Sequence, residues 1–167
     1  MSLRLIVIRH AKSAWGDLSL PDRERPLNGR GQRDAPKLGA WLKENGYLPD
    51  QALVSGALRT RMTWAGIADQ LDSQPEPDVR DALYHSSADT LLSVVQVVTG
   101  ATCLAMVAHN PGIGMFAHSI ASMPPEHSRF ADYPTGATLV VDFDCAAWSD
   151  VTWRAGQVID FVTPRDL

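Results

Sequence analysis

LRLIVIRH, residues 3–10, is a run of branched apolar side chains that ends in an arginine and a histidine. An apolar run of this length, interrupted only by Arg4, is typical of a strand that is buried on both faces of a sheet. TCLAMVA, residues 102–108, has the same character and is followed by His109. The sequence therefore predicts two buried strands, each with a histidine directly after its carboxyl end.

Helices and further strands are predicted between and after these two strands. A loop over 11–29 follows the first strand. The predicted helices cover 31–45, 58–71, 86–98 and 111–122, and the further strands cover 51–54, 137–143 and 158–162. Ser55 is the expected N-cap of the second helix, and Asn110 that of the fourth, with Pro111 in its first turn. Alternating strands and helices predict an α/β fold, a three-layer α/β/α sandwich with a mostly parallel central sheet. One or two antiparallel strands are expected near the C-terminus.

Composition excludes several classes of protein. A length of 167 residues with 45% hydrophobic residues is typical of one domain, over residues 1–167. Cys103 and Cys145 are isolated, which gives no support to a disulfide framework or a zinc ribbon. There is no apolar stretch of membrane-spanning length and no signal-peptide pattern, so we expect a cytoplasmic protein that does not bind membranes. The formal charge of −4 gives no reason to expect nucleic acid as a partner. The oligomeric state is left open.

The distribution of charge is more informative than its total. Residues 1–61 contain 11 basic and 6 acidic residues, a net charge of +5, and the remainder has a net charge of −9. Of the 15 basic residues, 12 are arginine, whose planar guanidinium suits phosphate or carboxylate oxygens. We therefore expect an anionic ligand. A solvated basic rim, suited to an acidic partner protein, is expected at Arg23, Arg30, Arg33 and Arg61.

Three strand ends place chemically useful side chains at one edge of the predicted sheet. If the strands are parallel neighbours, then His10, Arg59 and His109 converge there, since ligands bind at the carboxyl ends of strands in open α/β sheets. Phosphoryl transfer fits these residue types. A neutral His10 can attack phosphorus, Arg9 and Arg59 can hold the phosphoryl oxygens, and His109 can add a donor. This chemistry requires no metal.

Five segments in order resemble a known family. They are RHAKS at 9–13, DRERPLNGRG at 22–31, SGALRTRMT at 55–63, HNPG at 109–112 and PRDL at 164–167. Together they resemble the histidine phosphatase superfamily, particularly its SixA-like branch of phosphohistidine phosphatases. The resemblance implies a phosphoglycerate mutase-like fold and no metal or organic cofactor. It also implies that His10 is the phosphoryl-accepting nucleophile, with Arg9, Arg59 and His109 around the phosphate. Gly56 and Ala108 replace the family's usual proline and glycine, and we expect only slight changes in loop stiffness.

The residues available to protonate a leaving group bear on the identity of the substrate. Members similar to phosphoglycerate mutase carry a carboxylate that protonates a departing oxygen, and ALYHS at 82–86 has none. An imidazole nitrogen depends less on such an acid than an alkoxide does. A phosphohistidine on a protein, such as a phosphotransfer domain, is therefore the preferred substrate, although Asp81 or His85 remains open as an acid. The alternatives are a phosphatase for small phosphate esters, or a non-catalytic module that binds phosphate or phosphoprotein.

A second set of residues is expected to bind substrate: Lys12, Ser13, Arg25 and Asn110. For Lys12 and Ser13, plain solvation of the loop is an equal alternative. Arg25 has the alternative of an ion pair with Asp22, a kind of pair that contributes little when exposed. Trp15 either flanks the entrance of the site or covers the core. The remaining histidines match no metal-binding spacing, and a structural or surface role is preferred for them.

Overall fold

The computed structural model describes residues 2–167, and one six-stranded sheet forms its centre. The strands are β1 (Leu3–Arg9), β2 (Gln51–Ser55), β3 (Pro77–Arg80), β4 (Cys103–Ala108), β5 (Thr138–Phe143) and β6 (Gln157–Val162). Their order is β3-β2-β4-β1-β5-β6. The first four of these pair in parallel, whereas β5 is antiparallel to both β1 and β6. The prediction of a mostly parallel sheet with antiparallel strands near the C-terminus is confirmed.

Helices cover both faces of the sheet. They are α1 (Gly29–Glu44), α2 (Leu58–Ala68), α3 (Ala88–Gln96) and α4 (Gly112–Ile120). Successive residues of β1 point to opposite faces, as the twofold period of a strand requires. Ile6 therefore packs in the core beneath α1 and α2, with Leu38, whereas Leu5 packs in the core beneath α3 and α4, with Phe116. Burial on both faces explains why β1 reads as a continuous apolar run, and the three-layer sandwich is confirmed.

Strand β3 was not predicted, because Pro75 and Pro77 indicated only the end of the preceding unit. The strand lies at the edge of the sheet, and Pro77 is its first residue, in register with Ala52 of β2. An edge strand tolerates a proline in this position since no neighbour needs its missing N–H. Its remaining residues are exposed, so they carry no apolar signal.

Two predicted helix caps differ from the structure. Ala57, and not Ser55, occupies the N-cap position of α2, and no side chain caps this helix. Pro111 occupies the N-cap position of α4, yet the Oδ1 atom of Asn110 still accepts a hydrogen bond from the N–H of Gly114 at 3.1 Å. Ser55 is thereby free for a different contact, described below.

The predicted loop over 11–29 is long but not without structure. It contains a 3₁₀ turn at Asp22–Glu24 and an isolated bridge between Ser13 and Leu27. Cys103 and Cys145 form no disulfide. Among the helices of residues 2–167, none has the length and apolar character that crossing a membrane requires.

Candidate active site

The neighbouring strands β1 and β4 bring two histidines together. Arg9 and Ala108 are partners in the parallel ladder, so the next residue of each strand, His10 or His109, leaves the sheet at the same level. The centroids of the two imidazole rings lie 5.3 Å apart. Both side chains are buried, and β2 ends on the other side of β4 with Ser55.

His10 is held as a neutral imidazole with a defined tautomer. Its Nδ1 atom lies 2.7 Å from the carbonyl oxygen of Ala11, an acceptor only, so Nδ1 carries the proton and donates it. Burial lowers the pKa of His10 to about 3, and the nearby charges of Arg59 and Arg9 act in the same direction. The lone pair therefore resides on Nε2, the ring nitrogen available to attack an electrophile.

His109 is fixed by a residue of β2. Its Nε2 atom lies 2.7 Å from the hydroxyl oxygen of Ser55. Burial, together with the neighbouring His10 and Arg59, lowers the pKa of His109 to about 2. The other ring nitrogen, Nδ1, is buried and has no hydrogen-bond partner within residues 2–167. When the Ser55 hydroxyl donates to Nε2, Nδ1 carries the proton and is an unused donor.

Two arginines supply positive charge beside the histidines. Arg9 donates from Nη1 to the carbonyl oxygen of Tyr133 at 3.1 Å. Arg59 is 3% exposed and donates to Asp22 twice, from Nη1 to the backbone oxygen at 2.7 Å and from Nη2 to Oδ2 at 3.0 Å. In the described part of the chain, the Nε atoms of both arginines are buried without a partner. Such groups are rare in folded proteins. Together with Nδ1 of His109, these two guanidinium nitrogens have the chemistry of an anion site.

Two residues of this site were not predicted as part of it, Asp22 and Tyr84, and a third, His85, was left open as an acid. The hydroxyl of Tyr84 donates to Oδ2 of Asp22, and His85 Nε2 lies 3.4 Å from the same oxygen. Burial raises the pKa of Asp22, but hydrogen bonds from Tyr84 and Arg59 outweigh this and hold it well below its usual range. Asp22 is therefore the anionic anchor of Arg59. Asp22 and His85 were noted in the sequence, but Tyr84 had no signal.

His85 is also unusual in its backbone. Its φ angle is 49°, in the left-handed region that residues other than glycine rarely adopt. Its ring stacks on that of Tyr84 with centroids 4.1 Å apart, and it lies edge-on to His109 at 5.4 Å. His85 is half exposed at the side chain, so it stands at the mouth of the site.

The residues that were expected to bind substrate make contacts with other parts of the protein. Arg25 donates to Oδ1 of Asp22 at 3.2 Å and to Oγ of Ser13 at 3.1 Å, so the alternative pairing with Asp22 is confirmed. Asn110 donates to the carbonyl oxygen of Tyr133 at 3.0 Å, the same oxygen that holds Arg9. Lys12 is half-buried, and its backbone oxygen accepts from the N–H of Asn28 at 3.0 Å. Contacts of these four residues with a substrate stay predictions.

Asp81, the other open candidate for an acid, is engaged elsewhere. Its Oδ1 atom lies 2.6 Å from Nη2 of Arg23 in an exposed ion pair. A Cβ added at Gly56 would meet both of these side chains, so the departure from the family's proline leaves the space in which they pair. Within residues 2–167, no group of three or more His, Cys, Asp or Glu side chains is arranged to hold a metal ion.

Comparison with known sequences adds a family. The family model of the histidine phosphatase superfamily (branch 1) matches residues 5–86. An uncharacterized protein of Mycobacterium tuberculosis, strain H37Rv, is 30% identical over 164 residues, covering 95% of this chain and 100% of that protein. An uncharacterized chloroplastic protein of Arabidopsis thaliana is 46% identical over 79 residues, which are 47% of this chain and only 36% of that protein.

Solved structures share the whole fold. A protein of Nakamurella multipartitia named as a phosphohistidine phosphatase SixA aligns with a TM-score of 0.84 and 24% identity, over 98% of this chain and 97% of its own. A protein histidine phosphatase SixA complexed with tungstate aligns with a TM-score of 0.79 and 21% identity, over 98% and 99% of the two chains. The family match over residues 5–86 and the full-length relative agree with this shared fold. This chain therefore belongs to the histidine phosphatase superfamily, branch 1.

Proposed function

We propose that this chain is a phosphatase that removes the phosphoryl group from a phosphohistidine on a protein, through a phosphorylated His10. One observation carries the proposal. Three buried nitrogens, Nε of Arg9, Nε of Arg59 and Nδ1 of His109, have no partner within the described residues, and they belong to the residues that surround a neutral His10. An unpaired buried donor costs about 1–3 kcal/mol, and a bound oxyanion removes that penalty.

The phosphoryl group matches this arrangement in charge and in number of acceptors. Its non-bridging oxygens accept hydrogen bonds from the two guanidinium groups and from His109. Arg59 cannot turn away from the site because Asp22 fixes its Nη1 and Nη2 atoms. Cations fixed in advance around the transferring group are the main source of catalysis in phosphoryl transfer, since little reorganisation remains to be done.

The first chemical step is transfer to the enzyme. Nε2 of His10 attacks phosphorus with its lone pair, a new N–P bond forms, and the N–P bond of the substrate breaks. The electron pair of that bond returns to the substrate's ring nitrogen. When the other nitrogen of the substrate ring carries a proton, the ring departs as neutral imidazole and needs no proton from the enzyme. On His10, the hydrogen bond from Nδ1 to Ala11 stabilises the positive charge of the phosphorylated ring.

The second step is hydrolysis. A water molecule attacks phosphorus of phosphorylated His10, the N–P bond breaks and its electron pair returns to Nε2. Inorganic phosphate leaves as dihydrogen phosphate, which carries the oxygen and both protons of the water, and His10 is again a neutral imidazole. The same arginines hold the phosphoryl oxygens in both steps, so one site serves both halves of the reaction.

A protein phosphohistidine is preferred over an ester for two reasons. Asp81 lies in an exposed ion pair with Arg23, which supports a site without a dedicated carboxylic acid. Solved structures named as phosphohistidine phosphatases SixA share the fold, and one is complexed with tungstate, a tetrahedral oxyanion like phosphate. A place in cytoplasmic signalling by phosphorelay is part of the proposal.

One observation favours a second candidate, a phosphatase for small phosphate esters. His85 Nε2 lies 3.4 Å from Nη2 of Arg59 at the mouth of the site. A histidine in this place can act as the general acid for a departing alkoxide, which an ester requires and a phosphohistidine does not.

The test is a comparison of phosphate release from three substrates in the presence of a metal chelator: a histidine-phosphorylated protein, a serine phosphopeptide and an aryl phosphate. We expect release chiefly from phosphohistidine, no effect of the chelator, and no release by His10→Ala. Release from the esters alone would establish the second candidate, and binding of phosphate without any release would establish a non-catalytic module.

A further inference from the structure

The loop beside the active site carries two large apolar side chains in solvent. Trp15 is 63% exposed and Leu18 is 92% exposed. Trp15 therefore does not cover the core, which was one of its two expected roles. Single exposed apolar residues are ordinary on protein surfaces, so their order, position and surrounding charge decide whether these two have a function.

The two side chains are presented by an ordered tip, which we define as residues 15–19. Oδ1 of Asp17 accepts hydrogen bonds from the N–H of Ser19 at 2.9 Å and from its hydroxyl at 2.5 Å, and these close the turn that carries Leu18. The guanidinium carbon of Arg25 lies 3.5 Å from the centroid of the Trp15 ring. These contacts restrict the conformations of the tip, which lowers the entropy lost when a partner binds it.

The position of the tip is tied to the phosphate site. Arg25, which stacks on Trp15, also donates to Asp22 at 3.2 Å, and Asp22 holds Arg59 at 3.0 Å. Two side chains therefore connect Trp15 to the arginine that faces the phosphoryl group. A large molecule that places a phosphate beside Arg59 therefore has its bound group only two side chains away from Trp15.

Charge indicates what kind of molecule that is. The tip lies in the basic part of the chain, where residues 1–61 have a net charge of +5 against −9 for the rest. The same 61 residues supply Arg25 beside the tip and Arg59 in the site, and an approaching acidic surface is attracted to these arginines. A small phosphate ester has no atoms to cover Leu18, whereas a folded protein with apolar side chains around its phosphohistidine does.

We infer that Trp15 and Leu18 form a docking surface for the protein substrate, one that binds an apolar patch bordered by carboxylates next to the phosphohistidine. The inference rests on the proposed function and deepens it. Its consequence is that the tip raises kcat/KM for phosphohistidine in a protein and leaves kcat/KM for free phosphohistidine unchanged.

The experiment uses Leu18→Ser, because this side chain is almost fully exposed and its loss does not disturb the core. Leu18→Met is the conservative variant, and Val97→Ser is the matched control. Val97 is also exposed, at 68%, and follows α3 far from the site. The substrates are a phosphotransfer domain phosphorylated on histidine and free phosphohistidine. In a second arm, each change is made in a His10→Ala chain, and the affinity for the phosphorylated domain is measured.

We expect Leu18→Ser to lower kcat/KM for the domain, and its affinity, about tenfold, as burial of a leucine implies. Leu18→Met and Val97→Ser should match the wild type, and free phosphohistidine should be hydrolysed equally by all. Equal losses on both substrates, no loss on the domain, or self-association of the wild type that Leu18→Ser abolishes would overturn the docking surface. If the wild type hydrolyses neither substrate, the proposed function fails, and the affinity arm alone decides about the tip.

Discussion

Replacing Asp22 by asparagine tests whether the phosphate-holding arginine is fixed in advance by its acidic neighbour. Oδ2 of Asp22 accepts from Nη2 of Arg59 at 3.0 Å, while the backbone oxygen of Asp22 accepts from Nη1 at 2.7 Å. The substitution removes the charge of the first contact and leaves the second. Arg59 itself is buried, so its side chain stays in the site but loses one of its two anchors.

The magnitude follows from the contact that is weakened. A hydrogen bond between charged groups contributes about 1.5–3 kcal/mol, and the Asp22 side chain is 40% exposed, so we take the lower limit. A loss of about 1.5 kcal/mol corresponds to about a tenfold decrease in kcat/KM. Arg59→Ala removes the donor itself and should lower kcat about 10²–10³-fold.

The decisive comparison is a double-mutant cycle. If Asp22 acts through Arg59, then adding Asp22→Asn to Arg59→Ala lowers kcat/KM no further, and the coupling energy is about 1.5 kcal/mol. The assay is steady-state phosphate release from a histidine-phosphorylated protein, with the melting temperature of each variant measured to show that it is folded. A further tenfold loss in the double variant would instead show that Asp22 acts independently of Arg59.

Three further predictions concern the two histidines, the anion site and two glycines close to it. Burial holds the pKa of His10 at about 3 and that of His109 at about 2, whereas in the unfolded chain both histidines have the ordinary pKa of about 6.5. Below about pH 6.5 the unfolded chain therefore binds more protons than the folded chain. Denaturant titration should show that the free energy of unfolding is level above this pH and falls below it, by about 1.4 kcal/mol per pH unit for each histidine. Replacing either histidine by alanine should remove its share, and an unchanged slope would contradict the assigned burial. Tungstate at about 100 times its Kd should stabilise the protein by about 2.7 kcal/mol in a calorimetric scan, and His109→Ala should weaken tungstate binding; equal affinity would exclude His109 from the anion site. A methyl group at Gly112 would meet the backbone oxygen of Ser86, whereas at Gly56 it would meet only the ends of exposed side chains, so Gly112→Ala should destabilise the fold by about 1–3 kcal/mol and Gly56→Ala by less than about 1 kcal/mol, a ranking that equal melting temperatures would contradict.

The elements that the sequence predicts well are those whose burial is uniform. β1 and β4 are central strands buried on both faces, so each reads as an apolar run with a clear end. Those ends carry His10 and His109, and the parallel pairing of the strands follows from the helices between them. The relation between fold and site was therefore predictable from the positions of a few side chains at strand ends.

The parts that were missed depend on contacts between distant segments. β3 is short, exposed and begins with a proline, so it is defined by pairing with β2 and by no pattern of its own. Ser55 follows a strand and precedes a helix, a pattern typical of an N-cap, but its hydroxyl contacts His109 instead. Asp22 and Tyr84 meet across 62 positions of sequence, a contact that the fold of the long loop brings about and that no local periodicity records.

Trapping the phosphorylated enzyme shows whether His10 carries the phosphoryl group. The enzyme is mixed with a histidine-phosphorylated protein, quenched within milliseconds in alkali to preserve N–P bonds, and analysed by mass spectrometry of its peptides. We expect an acid-labile phosphoryl group on His10, up to one per chain, that forms before inorganic phosphate is released and is absent from His10→Ala. Steady release of phosphate by the wild type with no phosphoryl group on His10, or with one on another residue, would contradict this expectation.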